Sequence, residues 1–197
     1  FQKSYKNAPE LSRDCFMKAQ LELFTEPEFV HENIATLDEI ISECQAEGRE
    51  RYYISDLVLK RLELMERLGS PRREIELYEE KYSEVSGVRE QIIRRMMAEK
   101  RYSEAEALLI EGKELYSEWR GLAAEYSEQL INLYEQTEQT EKLRDELMYQ
   151  VFHYPQPNLN YVKKLRTLTE PVDWPELRDK ILTAGTLYNS SRERLLL

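Results

Sequence analysis

Glu141-Lys142-Leu143-Arg144-Asp145-Glu146-Leu147 aligns without a gap on Pro175-Glu176-Leu177-Arg178-Asp179-Lys180-Ile181, 34 residues further along. Its matched apolar positions, 143 with 177 and 147 with 181, are four apart, which is the step along one face of an α-helix. A return at this length marks a helix pair, a unit that cannot bury its apolar face alone and stacks on its neighbour. Working back from it, Lys100-Arg101-Tyr102-Ser103-Glu104-Ala105 and Leu68-Gly69-Ser70-Pro71 fall at the same point of a helix–turn–helix. Taking Gly69, Lys100, Glu138 and Val172 as equivalent turn positions gives spacings of 31, 38 and 34.

The pattern between the turns is helical. Val30, Ile34, Leu37, Ile41 and Cys44 step by four, three, four and three, and Trp119, Leu122, Ala123, Tyr126, Leu130, Leu133 and Tyr134 form a second stripe. Capping boxes are expected at Thr25…Glu28, Ser103…Glu106, Asp173…Glu176 and Ser190…Glu193, with a cap at Ser70 before Pro71. The spacing predicts helices near 10–24, 27–47, 50–68, 71–84, 87–100, 103–116, 118–136, 140–153, 158–169, 174–186 and from 190. The expected fold is all-α, an alpha-alpha superhelix of stacked antiparallel helix pairs forming a tetratricopeptide-like solenoid. It reads as one helical-repeat domain over 1–197, with an N-terminal pair at 1–47 and repeat pairs at 50–84, 87–116, 118–153 and 158–186. A truncated helix occupies 190–197, so the chain is expected to stop inside a repeat. Opening on Phe1 rather than Met, it reads as an excised or processed piece.

Composition narrows the function classes. Charged residues make up 34% of the chain and the net charge is −10. Residues 101–150 hold 5 basic and 12 acidic groups, net −7, while 51–100 hold 11 and 10, net +1. An acidic balance disfavours a phosphate-backbone partner. No apolar run is long enough to span a bilayer, and low cysteine use fits a reducing compartment, so a soluble, cytoplasmic protein with no membrane partner is expected. Cys15 and Cys44 read as buried free thiols. His31 lies 13 residues from Cys44 and 16 from Cys15, too scattered for a zinc ligand set, so no metal is expected. No nucleophile elbow or phosphate-cradling loop is present, Gly112-Lys113 lacks the rest of a P-loop, and no Glu-x-x-His pair supports a di-iron bundle. The reading is a non-enzyme with no cofactor and no catalytic residues, in which Glu79-Glu80 and Glu104…Glu106 belong to solvated faces. The candidates for a basic ridge are Arg94-Arg95 and Lys163-Lys164, with Arg89, Lys100, Arg101 and Arg166.

Two resemblances refine this. Tyr102-Ser103-Glu104-Ala105 resembles the tetratricopeptide step, although Lys100 replaces the turn glycine and the closing proline is absent. Leu133-Tyr134-Glu135, Leu143-Arg144-Asp145-Glu146-Leu147, Leu165 and Trp174-Pro175-Glu176-Leu177 resemble the helical repeat region of bacterial SWIM zinc-finger proteins. That family pairs an N-terminal zinc finger with a long helical tail. The resemblance implies that the finger lies outside this chain, whose two isolated cysteines supply none of its ligands.

In stacked pairs the first helix of each lines a concave face. Six residues before the turn positions stand Glu63, Arg94, Asn132 and Arg166, all polar, and these are the expected partner-binding ladder. The expected function is a protein-interaction scaffold whose groove takes a peptide or protein. The alternative is an accessory nucleic-acid-binding module of a larger zinc-finger protein.

Overall fold

The computed structural model describes residues 26–46, 51–154 and 158–184, and among these every regular element is a helix. They are α1 (Pro27–Ala46), α2 (Arg51–Arg67), α3 (Arg72–Lys81), α4 (Ser86–Ala98), α5 (Tyr102–Leu115), α6 (Arg120–Gln136), α7 (Thr140–His153), α8 (Leu159–Thr167) and α9 (Trp174–Thr183). The helices expected at 10–24 and from 190, the capping box at 190–193 and Cys15 lie outside the described residues.

Three of the four aligned turn positions share one backbone device. Gly69, Lys100 and Glu138 are left-handed, with φ of 68°, 61° and 56°. In each case the next N–H turns back five residues: Ser70 to Met65 O at 3.0 Å, Arg101 to Met96 O at 2.9 Å, and Gln139 to Tyr134 O at 3.0 Å. This is the Schellman closure, which satisfies carbonyls orphaned at a helix end. Val172 does not share it. After α8 the Thr169 hydroxyl caps Leu165 O at 2.7 Å, and the next turn runs through Asp173 N–H and Trp174 N–H to Glu170 O. Pro171, with its fixed φ and missing N–H, sits inside that turn.

The opposite connections repeat as well. Tyr82-Ser83-Glu84-Val85-Ser86-Gly87 and Tyr116-Ser117-Glu118-Trp119-Arg120-Gly121 are 34 residues apart. Val85 N–H bonds Tyr82 O at 2.9 Å and Arg89 N–H bonds Val85 O at 3.0 Å; Trp119 and Ala123 repeat the pattern at 2.8 and 3.1 Å. Helix α6 has 17 residues against 13 in α4, and these four extra residues turn the 34-residue spacing into 38.

The caps expected at Ser70, Ser103 and Asp173 do not form, while Thr25, the cap expected before α1, lies outside the described residues. Helix α5 starts at Tyr102 behind Arg101, α3 behind Pro71 and α9 behind Asp173, none with a side-chain cap bond. The Schellman turns run straight into the next helix and leave Ser70 and Ser103 out of the capping place. A side-chain cap does form at the start of α8, where Asn158 Oδ1 accepts from Asn160 N–H at 3.0 Å.

The chain divides between Ile92 and Ile93, within α4, into two compact units. In the first, α1 packs on α2 and α2 on α3. The α1 stripe buries Val30, Leu37, Ile41 and Cys44, but Asn33 rather than Ile34 takes the remaining buried place. Arg61 of α2 grips Asp38 with Nε at 2.5 Å and Nη2 at 3.0 Å, and its guanidinium lies 4.1 Å from the Tyr78 ring centroid. In the second unit α5 packs on α6, α6 on α7 and α7 on α8. Leu109, Leu130, Leu133, Leu147, Val151, Val162 and Ile181 are among its buried core. Trp119, expected in the α6 stripe, is instead 60% exposed, whereas Val85 at the matching place of the first unit is 6% exposed.

Candidate interaction face

Glu63, Arg94, Asn132 and Arg166 are all exposed. Glu63, Arg94 and Asn132 each stand four residues before the last residue of their helix, Arg67, Ala98 and Gln136. Arg166 does not keep that register, because α8 ends at Thr167; the residue four before that end is Lys163, also exposed. The Pro171 turn lengthens the link after α8, and counting back from Val172 therefore lands three residues late. Glu63 belongs to the first unit and Arg94, Asn132, Lys163 and Arg166 to the second.

The surroundings differ from one position to the next. Glu63 is held by Lys60 at 3.0 Å and Arg67 at 3.1 Å. Asn132 lies one turn from Glu128 and one turn from Glu135, and both carboxylates reach to α8. Glu135 pairs with Lys164. Glu128 faces Tyr161, whose phenol is pushed up by burial first and then by that carboxylate. On α8, Lys163 and Arg166 are one turn apart, and the Arg166 guanidinium lies 5.9 Å from the Trp174 ring centroid.

Several members of the basic ridge expected from sequence are not available. Arg89 is 1% exposed, among the largest fully buried side chains. Arg95 is half-buried. Arg101 is bound by Glu104 at 2.6 Å and Glu99 at 3.1 Å, which raises its pKa further and lowers that of Glu104. Lys164 is taken by Glu135. The exposed cations left from that set are Arg94, Lys100, Lys163 and Arg166.

Two polar braces were not readable beforehand. Glu106 of α5 accepts from the Tyr134 hydroxyl of α6 at 2.9 Å and from Lys142 Nζ of α7 at 2.7 Å. Lys113 of α5 reaches Glu146 of α7 at 2.6 Å, and the Ser127 hydroxyl of α6 donates to the same carboxylate. The Lys113 ammonium also lies 3.5 Å from the Tyr149 ring centroid. Glu106 is therefore not part of a solvated face; its side chain is 14% exposed. Among the described residues Lys113, Ser127 and Glu146 come together around one carboxylate, and Ser127 is fully buried.

The two histidines bond their own helices: His31 Nδ1 to Pro27 O at 2.7 Å and His153 Nδ1 to Tyr149 O at 3.2 Å. Among the described residues no three His, Cys, Asp or Glu side chains converge as a metal-ligand group, and no helix is long and apolar enough to cross a membrane. No family model, curated protein or solved structure matches the chain.

Proposed function

We propose that the chain is a non-catalytic protein-interaction scaffold. Its helix pairs continue as a tetratricopeptide-like superhelix whose first helices present a concave groove to a peptide or protein. The observation that carries this reading is the common register of exposed polar side chains on first helices, Glu63, Arg94, Asn132 and Lys163. With Arg166 beside Lys163, the second unit offers cations suited to carboxylates, and an Arg can grip a carboxylate in bidentate fashion. Acidic segments or a free C-terminus are the ligands this chemistry fits. Burial of Arg89, partial burial of Arg95 and pairing of Arg101 and Lys164 remove half of the candidate basic ridge, which favours a peptide over nucleic acid. That the chain works beside a SWIM zinc finger in a larger, bacterial, cytoplasmic protein is proposed on the sequence resemblance.

The test is a titration of fluorescent peptides carrying acidic and C-terminal carboxylate ends, alongside a DNA oligonucleotide. We expect peptide binding that is lost in Arg94→Glu/Arg166→Glu and in Arg94→Glu/Lys163→Glu, with helicity unchanged by circular dichroism. Equal peptide affinity in the variants would remove the groove assignment. Oligonucleotide binding that weakens steeply with salt would replace it with the nucleic-acid reading.

A further inference from the structure

The apolar face of α7 does not by itself say where α7 belongs along α5. Leu143, Leu147 and Val151 are buried at 8%, 0% and 0% exposure, and they recur every four residues. Sliding the helix by one turn, about 5.4 Å, replaces Leu143 with Leu147 and Leu147 with Val151. Apolar burial is non-directional and changes little in such a slip. One-turn ratchets are a known alternative packing of helices.

The two braces remove this degeneracy. Along α5 the order is acid then base, Glu106 then Lys113; along α7 it is base then acid, Lys142 then Glu146. In the observed alignment each acid meets a base, at 2.7 Å and 2.6 Å. Lys142 and Glu146 are themselves one turn apart. A slip of α7 one turn towards the start of α5 brings Glu146 to Glu106. A slip the other way brings Lys142 to Lys113. Either shift sets like charges against each other in places where three of the four side chains are less than one-fifth exposed, and like charges in a poorly solvated site are strongly disfavoured. Helix α6 supplies a hydroxyl to each brace, Tyr134 to the first and Ser127 to the second, so both carboxylates have a further donor.

We infer that Glu106–Lys142 and Lys113–Glu146, of opposite polarity on the same two helices, are a register lock that admits one alignment of α7 against α5. Its value lies in excluding the neighbouring alignments more than in net stability, a role in which buried polar groups are best attested. It fixes the second unit independently of whether a groove binds anything.

The test uses inversions that keep composition and net charge constant in the full chain. E106K/K113E reverses α5 alone, K142E/E146K reverses α7 alone, and the four-residue combination reverses both and restores every opposite-charge pair. The readouts are urea unfolding and near-ultraviolet circular dichroism of the packed tyrosines. Each two-residue inversion is expected to raise the unfolding equilibrium constant about tenfold or more, the coupling usual within one network, or to abolish the tyrosine signal. The four-residue inversion is expected to recover both. A two-residue inversion that unfolds like the parent overturns the lock, and so does a four-residue inversion no better than its halves.

Discussion

Lys100 and Glu138 hold the same left-handed backbone, φ 61° and 56°, although neither is the glycine that such a position favours. A side chain there costs about 1 kcal/mol, because Cβ crowds the neighbouring carbonyl. Both turns keep the Schellman bonds found at Gly69, so the geometry is imposed by the helices that meet there rather than by the turn residue.

It follows that Lys100→Gly and Glu138→Gly raise stability, each by up to about 1 kcal/mol, and that Gly69→Ala lowers it by a similar amount. Urea unfolding of the three variants measures this. A loss of stability in both glycine variants would mean that the two side chains hold the turns by contacts of their own.

Gly112 and Gly121 should answer the same substitution with opposite sign. A Cβ on Gly112 would come within 2.6 Å of the Tyr126 ring, which is 1% exposed and stacked on Tyr116 at 5.8 Å and 2°. A Cβ on Gly121 would meet nothing within 4 Å. Overpacking costs about 1–3 kcal/mol, against a helix-propensity gain of about 1 kcal/mol. Gly112→Ala is therefore expected to destabilise and Gly121→Ala to be neutral or stabilising. Thermal unfolding decides it: stabilisation by both would show that α5 and α6 are not held this close.

Alkali should unfold the protein through its tyrosines. Burial, ahead of every other cause, pushes up the phenols of Tyr78, Tyr134, Tyr154 and Tyr161; Arg61 opposes it at Tyr78, and Glu106 adds to it at Tyr134. A group whose pKa is raised in the folded state binds its proton more tightly there than in the unfolded chain. Its contribution is whole below the ordinary phenol value of 10.0 and falls as pH climbs beyond it. Helicity and phenolate absorbance followed together should show exposed tyrosines ionising first, and the buried ones only as helicity is lost. Complete ionisation of all 13 tyrosines with helicity intact would contradict their burial.

The helices themselves were legible, because apolar residues recur at helical spacing and the turns are marked by repetition. Gly69 announces its turn in the sequence, while Lys100 and Glu138 could be found only by aligning repeats on one another. Asn33 for Ile34 shows where periodicity blurs: adjacent positions on a helix edge compete, and the neighbouring helix decides which is covered. The helix register was legible for Glu63, Arg94 and Asn132, whose helices end at a constant distance from the turn, and it slipped at α8 because Pro171 changes the link. The braces left no signal. Glu106 and Lys142 look like any solvated pair until the third helix is in place, and nothing local says which flank of α5 meets α7.

The four residues by which α6 exceeds α4 carry a consequence for how such a chain can change length. Four residues advance a helix by little more than one full rotation, about 40° past the starting direction, so the sides that were covered stay covered. Two residues would turn everything downstream by about 200°, exposing Leu133 and Tyr134 and burying charge. Growth of this architecture is thus quantised: insertions of one turn are admissible between one helix end and the next, and most other lengths are not. The unequal spacing of the repeats, 34 and 38 residues, differs by such a step and so keeps its phase.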